Sequence, residues 1–338
     1  MDTPTQRDWL KLYEAAMAFK ELAQWRWMSD SDVFAVQNPS KDEVGYCSLM
    51  GAAGEEFGLL VFLGAEGFES YKQIALGDVD CTSLDVWAMI SALSMALLGR
   101  DELDRQDHDV IRSLGLRFRG KNAWPCFRSH RPGYLPWGLE SEEAHLLTAA
   151  LEQAIDVAAR VRDGALGLQR GASAGLVLTR YCCDGHWMEE WRKPLALRPG
   201  PAAPALPDRA YLQRLREMAG SLRGSWELDL FFMPTPVASG SERPFYPTCV
   251  MALERTSGFI VGGDITRPAL TAEEKQGAVL QLLQKAGELP REIRVASDEL
   301  RRIVEPLATG LGISVRVARL QMLEKARTGL MKHMVGLD

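Results

Sequence analysis

No C-x-x-C pair occurs among the six cysteines, Cys47, Cys81, Cys126, Cys182, Cys183 and Cys249, which are scattered through 338 residues. That spacing argues against a structural zinc site and fits reduced, mostly buried thiols. Long apolar runs are also missing. The most apolar stretch, residues 84–98, contains Asp85, Ser91 and Ser94 and is too short and polar to span a bilayer. The opening MDTPTQRDWLKLYEAAMAF shows no basic segment followed by an apolar core and a small-residue cleavage site, so no secretory signal is expected. A soluble, cytoplasmic protein without a membrane partner is predicted.

There is no surplus of positive charge. The net charge is -6. Residues 208–338 carry 18 basic and 16 acidic side chains, or +2, which leaves -8 for residues 1–207. Binding to nucleic acid through bulk charge is excluded on that balance, and any such contact would be local. Residues 51–56, GAAGEE, lack the lysine of a P-loop and the spacing of a dinucleotide fingerprint, and two acids stand where a phosphate would sit. No nucleotide cofactor is expected.

What is present is a clear layout. Trp9, Leu10, Tyr13, Met17 and Leu22 near helical spacing predict an amphipathic helix over 7–23. Extended runs at 33–37, 44–50 and 57–63, broken by turn-rich residues 38–42 and 51–54, predict a three-stranded antiparallel meander. Helices are expected over 66–74, 84–98, 107–114 and 141–162, the last with Glu140, Glu142 and Glu143 at its positive end. A hairpin turning at Asp184-Gly185 closes an α+β domain, a helix plus meander covered by helices, at residues 1–198. Four prolines in 199–207 mark a linker. From 208 the reading is a helix, then strands at 226–233, 248–254 and 259–265. A Thr271/Glu274 capping box then opens a helix, followed by a strand at 292–295, a helix at 298–310, a strand at 313–317 and a last helix at 320–334. Three strands followed by helix–strand–helix–strand–helix predict an α/β, RNase H-like domain with a mixed sheet.

The stretch LRFRGKNAWPCFRSHRPGYLPW, residues 116–137, combines cations and aromatics without one carboxylate. One reading is an anion or single-stranded nucleic-acid surface, with Arg117, Arg119, Lys121, Arg128 and Arg131 for phosphates and Trp124, Phe127, Tyr134 or Trp137 for stacking. The other is structural: aromatics anchor a proline-stiffened segment, and the arginines pair with acids of the helix beginning at Ser141. The acidic first domain favours the structural reading.

Cys182, Cys183 and His186 surround a tight turn, and adjacent strand residues face opposite ways, so no metal site is expected there. His108 and His145 have no nucleophile that the sequence places beside them. Four carboxylates remain: Asp229 on a strand, and Asp298, Glu299 and Glu305 near the start of a helix. They read either as a two-metal phosphodiester site or as ordinary helix-start and strand-face acids, and the second reading carries more weight.

Two sets of segments resemble an uncharacterised bacterial two-domain family of unknown function. The first set is DWLKLYEAAMAFKEL, WRWMSDSDVFAVQNP, VGYCSLMGAAGEEFGLLVFLG and FRGKNAWPCFRSHRPGYLPWGLESEEAHLLTAALEQAI, and the second is RPFYPTCVMALERTSGFIVGG with PREIRVASDELRRIVEPLATGLGI. That resemblance implies no activity, cofactor or partner. SWELDLFF and EIRVASDE are similar, at the level of fold, to retroviral-type integrase cores. That likeness implies Asp229 in the first carboxylate position, Asp298 near the second and Glu305 loosely in the third, with Pro306 a departure. The expected function is a non-catalytic binding protein whose partner is a protein or nucleic acid. The alternative is a divalent-metal phosphodiester enzyme, the only case in which a cofactor is implied.

Overall fold

The computed structural model describes residues 2–76, 89–197, 208–238, 240, 242–268 and 271–335. It divides into two compact units, one from Met1–Arg131 with Pro136–Leu197, the other from Pro132–Leu135 with Arg198–Asp338. The linker expected at 199–207 lies outside the described residues. Among the described residues no helix is long and apolar enough to cross a membrane.

The first unit opens with helix α1 (Gln6–Leu22), started by a capping box in which Thr5 and Asp8 each accept from the other's backbone amide. Strands β1 (Phe34–Gln37), β2 (Val44–Met50) and β3 (Gly58–Leu63) form the expected meander, and α2 (Gly64–Ala75) follows. Then come β4 (Ala92–Leu98), α3 (Arg105–Ser113), β5 (Trp124–His130), the long α4 (Ser141–Arg162) and the short α5 (Leu168–Ser173). The hairpin β6 (Val177–Cys183) and β7 (His186–Arg192) ends the unit, with Asp184 at φ 50° and Gly185 at φ 79°, as a tight turn matching the strand twist requires.

These strands make one seven-stranded sheet in the order β5-β4-β3-β2-β1-β6-β7, antiparallel throughout except for the parallel β1–β6 pair. Alternation along the strands builds two cores. Phe34, Val36, Cys47, Leu49, Val61 and Met95 pack under α1 and α4, whereas Ala35, Tyr46 and Phe62 pack with Phe68 and Tyr71 of α2.

The helix expected over 84–98 is corrected by β4. Residues 84–88 lie outside the described residues, and Ala92–Leu98 is a strand paired between β3 and β5. Its Ala, Leu and Met content favours a helix, but burial of both faces in a sheet interior outweighs that preference. A run apolar on every side has no period to read.

The second unit contains α6 (Arg209–Met218), β8 (Ser225–Phe232), β9 (Thr248–Glu254), β10 (Ile260–Thr266), α7 (Ala272–Ala286), β11 (Glu292–Val295), α8 (Asp298–Leu311), β12 (Ser314–Val317) and α9 (Gln321–Val335). Its sheet runs β10-β9-β8-β11-β12, with β8–β9–β10 antiparallel and β11 and β12 joined in parallel. Three antiparallel strands extended by parallel crossovers are the RNase H-like arrangement. Trp226, Leu228, Val250 and Ala252 face α6, α7 and α8, while Phe231, Cys249, Met251 and Leu253 face Leu320 and Leu323 at the start of α9.

Candidate ligand-binding site

The cationic stretch is divided by the fold. Its central part is β5, an edge strand, where Arg128 is held by Asp104 and Asp107 of the α3 capping box: one guanidinium nitrogen lies 2.9 Å from Asp104 and 2.6 Å from Asp107, and the other 2.8 Å from Asp107. Burial opposes the Arg128 charge, but the Asp107 bonds and the two carboxylate fields outweigh it and raise its pKa. Arg131 reaches Glu140 and Glu143, both at 2.8 Å, at the start of α4. Ser129 Oγ also donates to Glu143, and its backbone exchanges two hydrogen bonds with Trp137. Burial then pushes the neighbouring Cys126 thiol up to about 12, so it stays protonated.

Arg117, Arg119 and Lys121 are exposed. Arg119 and Lys121 border an open depression of about 740 Å³ together with Arg100, Trp124, Asp101 and Glu102. Trp124 is half-buried against Phe118, 5.6 Å between ring centroids. Tyr134 belongs to the second unit, where it bridges to Phe245, with ring centroids 6.4 Å apart, and lies 5.9 Å from the Arg243 guanidinium. Carboxylates thus take up Arg128 and Arg131, and Arg117, Arg119 and Lys121 are the exposed cations of the stretch.

A different constellation does form. Trp9 and Tyr13 of α1, Phe127 of β5 and Trp137 line a cavity of about 430 Å³ in the first unit. Phe127 meets Tyr13 edge-on at 5.0 Å and Trp9 at 6.1 Å, a packed aromatic wall. The Arg128–Asp107 pair also lines it, with Asp2, Asp109 and Glu140. Tyr13 is only 3% exposed, and its hydroxyl, which forms no hydrogen bond with the described residues, is not among the enclosed unpaired polar atoms, those of Gln24, Gln153 and Arg180. Burial first, then the Asp107 and Cys126 fields, raise its pKa, so it is a neutral phenol.

The four carboxylates of the alternative are dispersed. Asp298 and Glu305 both bind Arg301, at 3.1 and 3.0 Å, and Glu299 binds Lys275 at 2.8 Å, on an exposed face of α8. Ser297 caps α8, as a helix-start reading requires. Asp229 lies half-buried on β8, on the face that α9 covers, while α8 packs its apolar stripe against the opposite face. Among the described residues no three His, Cys, Asp or Glu side chains are grouped to hold a metal ion, so the residues do not fit the divalent ions of an integrase-type site.

Residues 9–180, just over half of the chain, match the family described as Domain of unknown function (DUF7309). The chain belongs to the DUF7309 family. Residues 211–331 match a second, described as Domain of unknown function (DUF6930). No curated protein matches the chain. Among solved structures, the catalytic core domain of BIV integrase is similar at 18% identity and TM-score 0.26, covering 33% of this chain and 69% of that one. The HTLV-2 integrase catalytic core domain in complex with magnesium follows at 13% and 0.25, covering 32% and 68%. A simian T-cell lymphotropic virus intasome in complex with PP2A regulatory subunit B56 gamma gives 14% and 0.25, covering 32% and 39%. These likenesses carry no argument about function, and the RNase H-like topology rests on the strand order of the chain itself.

The cavity lies wholly within the DUF7309 match apart from residues at the amino terminus. In the sequence Trp9 and Tyr13 of the DUF7309 region mark only the amphipathic spacing of α1. The signal that did exist was the Asp104-x-x-Asp107 spacing, a capping pair whose acids also reach Arg128. His108 lies edge-on to Trp124, His145 binds Asp8 at 2.9 Å, and Cys183 faces His186 across the exposed hairpin end, so none of these completes a catalytic set.

Proposed function

We propose that the chain is a non-catalytic binding protein and that the aromatic cavity of its DUF7309 region is where it holds a ligand or a partner's side chain. One observation carries the reading: four aromatic side chains, Trp9, Tyr13, Phe127 and Trp137, wall a ligand-sized cavity whose polar floor is the Arg128–Asp107 pair. The Tyr13 hydroxyl at that wall can donate to or accept from a ligand's polar atom.

Support for nucleic acid as the partner narrows to Arg117, Arg119 and Lys121, since carboxylates hold Arg128 and Arg131. Support for the metal-dependent alternative is weakened by the ion pairs of Asp298, Glu299 and Glu305. The free thiols of Cys47, Cys126, Cys182, Cys183 and Cys249 fit a cytoplasmic setting.

The test is ligand-observed NMR with a mixed panel of anionic, neutral and cationic small molecules against the wild-type chain, Trp9→Ala and Trp137→Ala. Binders lost in either folded variant support the cavity as the site. Binders indifferent to both substitutions, or none at all, overturn it.

A further inference from the structure

Resting on that reading of the cavity, we infer that its ligand is a small organic cation, a guanidinium or alkylammonium group carried by a free small molecule or by a peptide side chain. The walls supply the first argument. Trp9 and Trp137 are partly exposed at a cavity whose inner surface is Tyr13 and Phe127, and aromatic faces attract cations through their quadrupole.

Charge supplies the second. Four carboxylates, Asp2, Asp107, Asp109 and Glu140, line the cavity against the single guanidinium of Arg128. That guanidinium is already shared by Asp107 and Asp104, and Arg131 is likewise shared by Glu140 and Glu143. Asp109 meets Arg112 at 3.1 Å and Arg105 at 3.8 Å on the exposed side, but the Asp2 carboxylate has no partner among the described residues. The field left over is negative, which repels an anion.

The Tyr13 phenol supplies the third. A hydroxyl could serve an anion as donor or a cation as acceptor, and its neighbours decide between them. Tyr13 and Asp107 line the same cavity, so acceptance of an N–H by the phenol keeps the donor's positive charge near a carboxylate. A bare metal ion fits poorly, since aromatic rings dominate the lining and no three ligating side chains are grouped among the described residues. The volume of about 430 Å³ suits a cation of a few heavy atoms with its alkyl stem.

Calorimetric titration separates the possibilities, with ethylguanidinium, tetramethylammonium, the tripeptide Gly-Arg-Gly and inorganic phosphate as probes. Both organic cations are expected to bind and phosphate is not. Trp9→Ala should weaken both by about tenfold, the size of a desolvated cation–aromatic contact. Tyr13→Phe should weaken ethylguanidinium by about tenfold and leave tetramethylammonium, which has no N–H, unchanged. Because Trp9 also packs in the core, the rim pair Asp2→Asn with Asp109→Asn provides a second test, and severalfold weakening of both cations is expected. Tighter binding of Gly-Arg-Gly than ethylguanidinium assigns the cation to a peptide, and the reverse to a free small molecule. No cation binding by the folded wild type, or binding that ignores all these substitutions, overturns the inference. Trp9-dependent binding of phosphate or of neutral molecules overturns it too, but leaves the cavity as a binding site.

Discussion

Glu227 on β8 accepts hydrogen bonds from the backbone amides of Met322 and Leu323, at 3.0 and 2.9 Å, through one carboxylate oxygen. A side chain 95 residues away thus caps the first turn of α9, where amides lack partners and the helix dipole is positive. Glu227 is 2% exposed, so a buried carboxyl oxygen is matched by two oriented donors.

Glu227→Ala is therefore expected to destabilise the second unit by about 2 kcal/mol, a cap lost together with two buried amides left unsatisfied. Glu227→Gln should cost less, because an acceptor remains. Urea unfolding gives the magnitude. Amide exchange at Met322 and Leu323 should quicken in Glu227→Ala before exchange in β8 does.

Arg128→Ala leaves Asp104 and Asp107 facing each other without their shared cation. A loss of about 2 kcal/mol is expected by chemical denaturation, with Arg128→Lys recovering only part, since one ammonium cannot replace a two-nitrogen grip on Asp107. An equal loss for Lys and Ala would show that fork geometry, not charge, is what matters.

Asp8 is held down to about 2 by the Thr5 hydroxyl, then by His145 and the Thr5 amide. Its folded pKa lies below its unfolded value, so its contribution is complete above the ordinary carboxylate range and disappears as pH falls through about 2. Asp8→Asn should be less stable than wild type at pH 7, and the difference should shrink between pH 4 and pH 2. A difference constant across that range would remove Asp8 as its source.

Gly58 pairs with Ala96, and a methyl group added there would lie 2.1 Å from the Met95 carbonyl oxygen. The obstacle is backbone in the interior of a sheet and cannot swing aside. Gly58→Ala is expected to cost about 2 kcal/mol in thermal or urea unfolding, the usual size of overpacking.

Titration with Mn²⁺ is expected to give no heat that depends on Asp229 or Asp298, comparing Asp229→Asn and Asp298→Asn with the wild type. Removing Asp298 from its exposed contact with Arg301 should change stability by less than about 1 kcal/mol. Manganese binding abolished by Asp229→Asn would restore the phosphodiester reading.

The sequence by itself determined the elements whose signals are local. The long helix at Ser141–Arg162, the turn at Asp184-Gly185 and the Thr271 capping box were readable from period, turn chemistry and end residues, all set within a few positions of the chain. The element order of the second unit then implied its strand order, because parallel strands need crossovers. Tertiary structure alone decided the rest. Residues 92–98 became a strand because neighbours bury both of its faces. Arg128 found Asp104 and Asp107, and Glu227 found Met322 and Leu323, because ion pairs and caps form between groups that folding brings together from distant positions. The cavity under Trp9 and Trp137 is the same kind of fact: its walls come from separate segments of the chain, and no local pattern records that their side chains will enclose a space.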